Sequence, residues 1–202
     1  MIVIRGGAHL SSLGISSSFT IALPDASLTA GNRYPYAVCL HDYGQNSEKM
    51  LRLLQCDTLV DKNRFALLIP DGQNSCFMDM AHGPSWQAYL LMGLLPFAER
   101  SFPLADTPSL LGIGTGGWAA SQIMQQFPGK FSACAAVGAQ KDLPLQYAEG
   151  KLHNMPDLDA VFGDPRGLRQ YPSSPDALWI YGEDAMHKAL LHVMRADGSL
   201  VL

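Results

Sequence analysis

Short apolar runs separated by helical segments constrain the fold more than any other feature of this chain. Residues 36–40 (YAVCL), 65–70 (FALLIP), 109–114 (SLLGIG), 131–138 (FSACAAVG) and 176–182 (DALWIYG) each run a strand's length and stop at a glycine or a turn. Between them lie stretches with helical spacing at about 47–61, 86–101, 116–127 and 185–194. Met50, Leu51, Leu54 and Val60 give the first helix its apolar face, and Asn46 or Ser47 can cap it. Strands alternating with helices form βαβ units and a mostly parallel sheet. Continuously apolar strands place helices on both faces of that sheet. Residues 18–24 (SFTIALP) alternate instead and predict a strand with one exposed face. Residues 140–174 are proline-rich with little periodicity and predict a loop-rich insertion with one or two short helices. A length of 202 residues suits one α/β domain spanning 1–202.

Composition narrows the function. A net charge of −4 with only 14 Lys and Arg argues against nucleic acid as a partner. No apolar run reaches the roughly 18 residues a membrane span needs, and the N-terminal segment lacks a signal-peptide core. Both features predict a cytoplasmic protein. Cys39, Cys56, Cys76 and Cys134 form no CxxC pair, so the sequence implies neither a metal site nor a metal cofactor.

In a sheet of this kind, ligands sit beyond the C-terminal strand ends. That singles out 41–45, 71–79, 112–117, 139–142 and 182–184. The turn Gly112-Ile113-Gly114-Thr115-Gly116-Gly117 fits two motifs. One is GxGxxG, whose glycines let a backbone approach a dinucleotide pyrophosphate. It sits past mid-chain, and Asp142 lies 25 residues beyond Gly117, after the next strand. The other is the nucleophile elbow G-x-S-x-G, with glycine at the serine position.

Neighbouring residues favour the elbow. The chain resembles the esterase D family of α/β-hydrolases, which includes S-formylglutathione hydrolases, and is most similar to its tributyrin-esterase branch. Cys39-Leu40-His41-Asp42 resembles the strand end before the oxyanion loop. Residues 70–84 (PDGQNSCFMDMAHGP) match the family's long loop at most positions, with Cys76 in place of an aromatic residue. Residues 100–104, 112–120, 127–139, 162–165 and 181–184 extend the likeness over roughly residue 16 to the end.

The resemblance implies an α/β-hydrolase fold and assigns roles by position. Gly114 stands where the nucleophilic serine belongs, and Asp184 at the triad acid. Thr115 N–H is one oxyanion donor, and Asp42 or Tyr43 supplies the second. His41 adjoins the pocket in a structural role, and Asp79 and His82 are expected to line it. The turn bearing the triad histidine has no counterpart before Leu202, so the fold is expected to be C-terminally shortened. His187 and His192 follow Asp184 too closely to replace that histidine.

A serine hydrolase that loses its serine or histidine loses about 10⁶ in turnover. The expectation is therefore a catalytically impaired esterase that keeps a pocket for a small acyl ester or carboxylate. The alternatives are an active short-chain esterase in the intact or ancestral form, and a dinucleotide binder. A sheet face left bare by a shortened C-terminus keeps a homodimer open.

Overall fold

The computed structural model describes residues 1–11, 13–25, 31–55, 57–165, 177–182 and 184–196. Among the described residues, seven strands form one sheet. They are β1 (Ile2–Leu10), β2 (Ile15–Leu23), β3 (Tyr36–Leu40), β4 (Ala66–Pro70), β5 (Ser109–Ile113), β6 (Cys134–Val137) and β7 (Ala177–Ile180). Their order is β1-β2-β4-β3-β5-β6-β7. From β4 across to β7 every pairing is parallel, while β1–β2 and β2–β4 are antiparallel.

The central strands are apolar throughout because both faces are covered. On β3, Tyr36, Val38 and Leu40 enter one cluster, and Ala37 and Cys39 enter the other. The helix α5 (Thr115–Gln126) lays Trp118, Ala119, Ala120 and Ile123 on the first face. On the second face lie α1 (Ser47–Leu54), α2 (Asp57–Asn63) and α8 (Ala185–Ala196), contributing Met50, Leu54, Val60, Ala189, Leu190, Val193 and Met194. On this second face α8 packs against β5, β6 and β7.

Several expected elements differ in detail. The helix expected over 47–61 is two helices, because Gln55 turns left-handed (φ 43°) at the end of α1. Asn46 is the cap that forms, accepting Lys49 N–H at 2.9 Å. The helix expected over 86–101 is continuous but not uniform. It runs as α3 (Trp86–Ala88), a π-helical stretch (Tyr89–Leu94) and α4 (Leu95–Ser101). Pro96 at the start of α4 has no N–H for an ordinary ladder bond, and the wider turns precede it. Within the proline-rich stretch, α6 (Leu143–Ala148) and α7 (Leu158–Phe162) are the two short helices. The expected final strand at 198–202 lies outside the described residues.

Candidate active site at the strand–helix elbow

Gly114 is the single residue between β5 and α5, with φ 53° and ψ −121°. A residue bearing a side chain reaches that conformation only under strain. Gly114 N–H donates to Val137 O at 2.9 Å, and its carbonyl accepts Gly117 and Trp118 N–H, each at 3.1 Å. The turn is thus a sharp elbow pinned to β6 and to the first turn of the helix.

Its other glycines serve packing. A Cβ on Gly112 would overlap the Gly116 backbone and lie 2.6 Å from Gly117 Cα. A Cβ on Gly116 would overlap the Leu40 and His41 carbonyls and lie 2.7 Å from Leu40 C. A Cβ on Gly117 would meet Ala139 Cβ at 2.8 Å and Gly112 O at 2.9 Å. At these three positions the space a side chain would need is taken by the protein's own atoms. The GxGxxG spacing is used to seat α5 against β3 and β5.

Two of the N–H groups expected as oxyanion donors converge on one point. Thr115 N–H and Tyr43 N–H both point at a single oxygen, each 2.8 Å away, and that oxygen is Asp42 Oδ1. Of the two candidates for the second donor, Tyr43 is the one whose N–H points there. Asp42 contributes its carboxylate as the acceptor. Thr115 Oγ1 also donates to Oδ1, at 3.2 Å. The same carboxylate fills the seat of a nucleophile side chain: a Cβ built on Gly114 would overlap Asp42 Cγ and Oδ1 and lie 2.5 Å from Oδ2. The positive N-terminal end of α5 favours a negative charge at that point.

The loop bearing Asp42 is fixed on both sides. His41 is buried at 2% exposure, and both ring nitrogens are engaged. Nδ1 donates to Asp42 O at 2.8 Å, and Nε2 accepts Gly72 N–H at 3.0 Å. That fixes the neutral tautomer and leaves no nitrogen to act as a base. Beyond Asp42, Tyr43 Oη donates to Asp157 Oδ2 at 2.7 Å, and Asn74 Nδ2 donates to the same oxygen at 2.6 Å. Gly44 N–H donates to Asn74 Oδ1 at 2.9 Å. Tyr43 and then Asn74 hold the Asp157 carboxyl below its usual range. Asp157 lies in the aperiodic stretch, where no sequence pattern marks it.

Burial lowers His41 below its ordinary value near 6.5. The folded protein keeps the ring neutral, while the unfolded chain takes up a proton below that value. This contribution to stability is complete above about pH 6.5 and is lost as pH falls toward the depressed folded value, at up to about 1.4 kcal/mol per pH unit. Urea midpoints measured between about pH 7.5 and pH 5.5 are expected to fall, and His41→Gln is expected to flatten that slope. An unchanged slope in His41→Gln would assign the acid sensitivity elsewhere.

The remaining candidates separate. Cys76 lies beside Thr115, buried and left-handed (φ 51°), as is Phe77 (φ 52°). Burial pushes its thiol up to about 12, so it is not a thiolate nucleophile at neutral pH. Asp79 is exposed, and its Oδ1 accepts Ala88 N–H at 3.0 Å in the first turn of the following helix. Its visible role is capping rather than lining. His82 is exposed and borders a cavity of about 240 Å³ together with Asn74, Met80, Trp86 and Asp157. Asp184 follows β7 in a left-handed conformation (φ 58°) and is exposed. Its carboxylate makes no hydrogen bond or ion pair among the described residues. His187 is exposed on α8, and His192 is half-buried there and lowered by burial.

Cys39, Cys76 and Cys134 are buried and form no disulfide among the described residues, and Cys56 lies outside them. Among the described residues no group of three His, Cys, Asp or Glu could hold a metal ion. Among them, too, no helix is long and apolar enough to cross a membrane.

No protein-family model matches the chain, and no curated protein matches it. Solved structures do. The chain is similar to the substrate-bound fluorophosphonate-binding serine hydrolase FphF of Staphylococcus aureus, at 17% identity and a TM-score of 0.75 over 98% of this chain and 88% of that one. It is similar to the S-formylglutathione hydrolase FrmB of Staphylococcus aureus, at 17% identity and a TM-score of 0.73 over 97% and 87%. An S-formylglutathione hydrolase from Agrobacterium tumefaciens aligns at 15% identity and a TM-score of 0.69 over 90% and 75%. At such identities the likeness is one of architecture, and in architecture this chain is an α/β-hydrolase fold.

Proposed function

We propose that this chain is a carboxylesterase-type protein, akin to tributyrin esterases, that keeps the elbow and oxyanion donors but turns over esters little or not at all. The observation that carries this reading is Gly114. The residue at the elbow holds the φ 53°, ψ −121° geometry and has no hydroxyl to attack an acyl carbon. Acyl transfer needs an activated nucleophile with a base in reach. The histidine at the neighbouring strand end, His41, is buried with both nitrogens engaged. What the site retains is a pair of converging N–H donors suited to an acyl or carboxylate oxygen. Activity in an intact or ancestral form is a second reading, favoured by the survival of the donor geometry around a glycine.

The test is p-nitrophenyl acetate hydrolysis by the purified protein. The rate is expected to sit near the buffer background. Turnover well above background, abolished by a fluorophosphonate, would overturn the proposal.

A further inference from the structure

We infer that Asp42 is the resident occupant of the oxyanion hole: its carboxylate closes the hole by an autoinhibitory contact and excludes external acyl and carboxylate groups until the 41–45 loop moves. This deepens the reading above and rests on it for the identity of the hole.

The geometry is that of a bound oxyanion. Donors of a working hole stand about 2.7–3.1 Å from the developing negative oxygen. Thr115 N–H and Tyr43 N–H stand 2.8 Å from Asp42 Oδ1, and the Thr115 hydroxyl adds a third donor at 3.2 Å. An independent observation places the same group in the nucleophile's seat, since a Cβ at position 114 would overlap Asp42 Cγ and Oδ1. One carboxylate therefore fills both halves of the site.

The contact is also held in place. His41 Nδ1 bonds the Asp42 carbonyl. Tyr43 is tied to Asp157 and Gly44 to Asn74. Freeing the hole requires the Asp42 side chain to swing out or these ties to break. A tethered carboxylate presents an effective concentration in the millimolar range or above, against which a free ligand of millimolar affinity competes poorly.

The probe is formate, read by thermal unfolding of wild type and Asp42→Ala. At about 20 mM sodium formate, Asp42→Ala is expected to melt about 3–5 °C higher than in sodium chloride of equal ionic strength. Wild type is expected to shift by less than about 1 °C, and neutral formamide to have no effect on either. Loss of the formate response in Asp42→Ala, or an equal response in wild type, overturns the inference.

If Asp42→Ala does not fold, the wild-type protein still decides. In NMR spectra, couplings transmitted through the hydrogen bonds are expected from the Thr115 and Tyr43 amide nitrogens to the Asp42 carboxyl carbon. Absence of both couplings would sink the idea. Neither readout depends on ester turnover, so a failure here is distinct from a failure of the proposed inactivity.

Discussion

Gly114→Ser is expected to yield a protein that still hydrolyses no ester above background and is less stable by about 2.5–5 kcal/mol. Two terms add. A side chain in the φ 53° conformation costs about 1–2 kcal/mol. The new Cβ also displaces the Asp42 carboxylate from the Thr115 and Tyr43 amides, and hydrogen bonds to a charged group contribute about 1.5–3 kcal/mol. In a domain of this size the melting temperature should fall by roughly 5–20 °C. Activity is expected to stay at background because His41, the histidine at the neighbouring strand end, has both ring nitrogens engaged and cannot serve a hydroxyl at 114 as base. The diagnostic is a double-mutant cycle: Asp42→Gly in the Gly114→Ser background should recover part of the lost stability, because it removes the overlapping carboxylate. Strictly additive effects, or esterase turnover from Gly114→Ser alone, would contradict this account of the elbow.

Gly116→Ala should be more damaging still. Its Cβ has no space, because it would fall on the carbonyls of Leu40 and His41, which are backbone atoms of a central strand end and cannot rotate away. Either α5 lifts from β3 or β3 shifts against β5, and both movements disturb fully buried residues such as Leu40 and Trp118. Overpacking of this kind costs about 3 kcal/mol or more. The control is Gly129→Ala, where φ is 82° but no atom lies within 4 Å, so only backbone strain of about 1 kcal/mol is expected. Chemical denaturation of the two variants measures the difference. Equal losses would mean that the close approach at Gly116 relaxes without cost.

The parts of the fold that were legible in the sequence are those buried on both faces. YAVCL is apolar at every position because alternate side chains enter opposite clusters, and β3 begins and ends where the run does. β1 left no comparable mark. It is an edge strand with half-exposed residues and two central glycines, so neither a continuous run nor clean alternation appears. The elbow was legible as a turn because its glycines cluster between a strand and a helix, although the atoms that demand them include Leu40 and His41 from another strand end. The carboxylate in the hole was not. The side-chain angle of Asp42 and its bond to Thr115, 73 residues away, depend on how two strand ends come side by side. The latch through Asp157 was equally silent, because its partners Tyr43 and Asn74 lie 114 and 83 residues away. Asp79 and His82 were placed on the correct loop, but a loop sequence does not say which side chains turn inward.

The strand order has a kinetic consequence. β5, α5 and β6 are contiguous in the chain, so the elbow can be assembled from local contacts alone. Seating β3 beside β5 must close a loop of about 70 residues, as in the pairing of Ala37 with Ser109. Long-range pairings of this kind form late, because their closure entropy is met before their contacts are gained. In refolding of the whole chain, the Thr115 amide is therefore expected to gain protection from exchange only when β3 brings Asp42 to it, later than the β5–β6 amides.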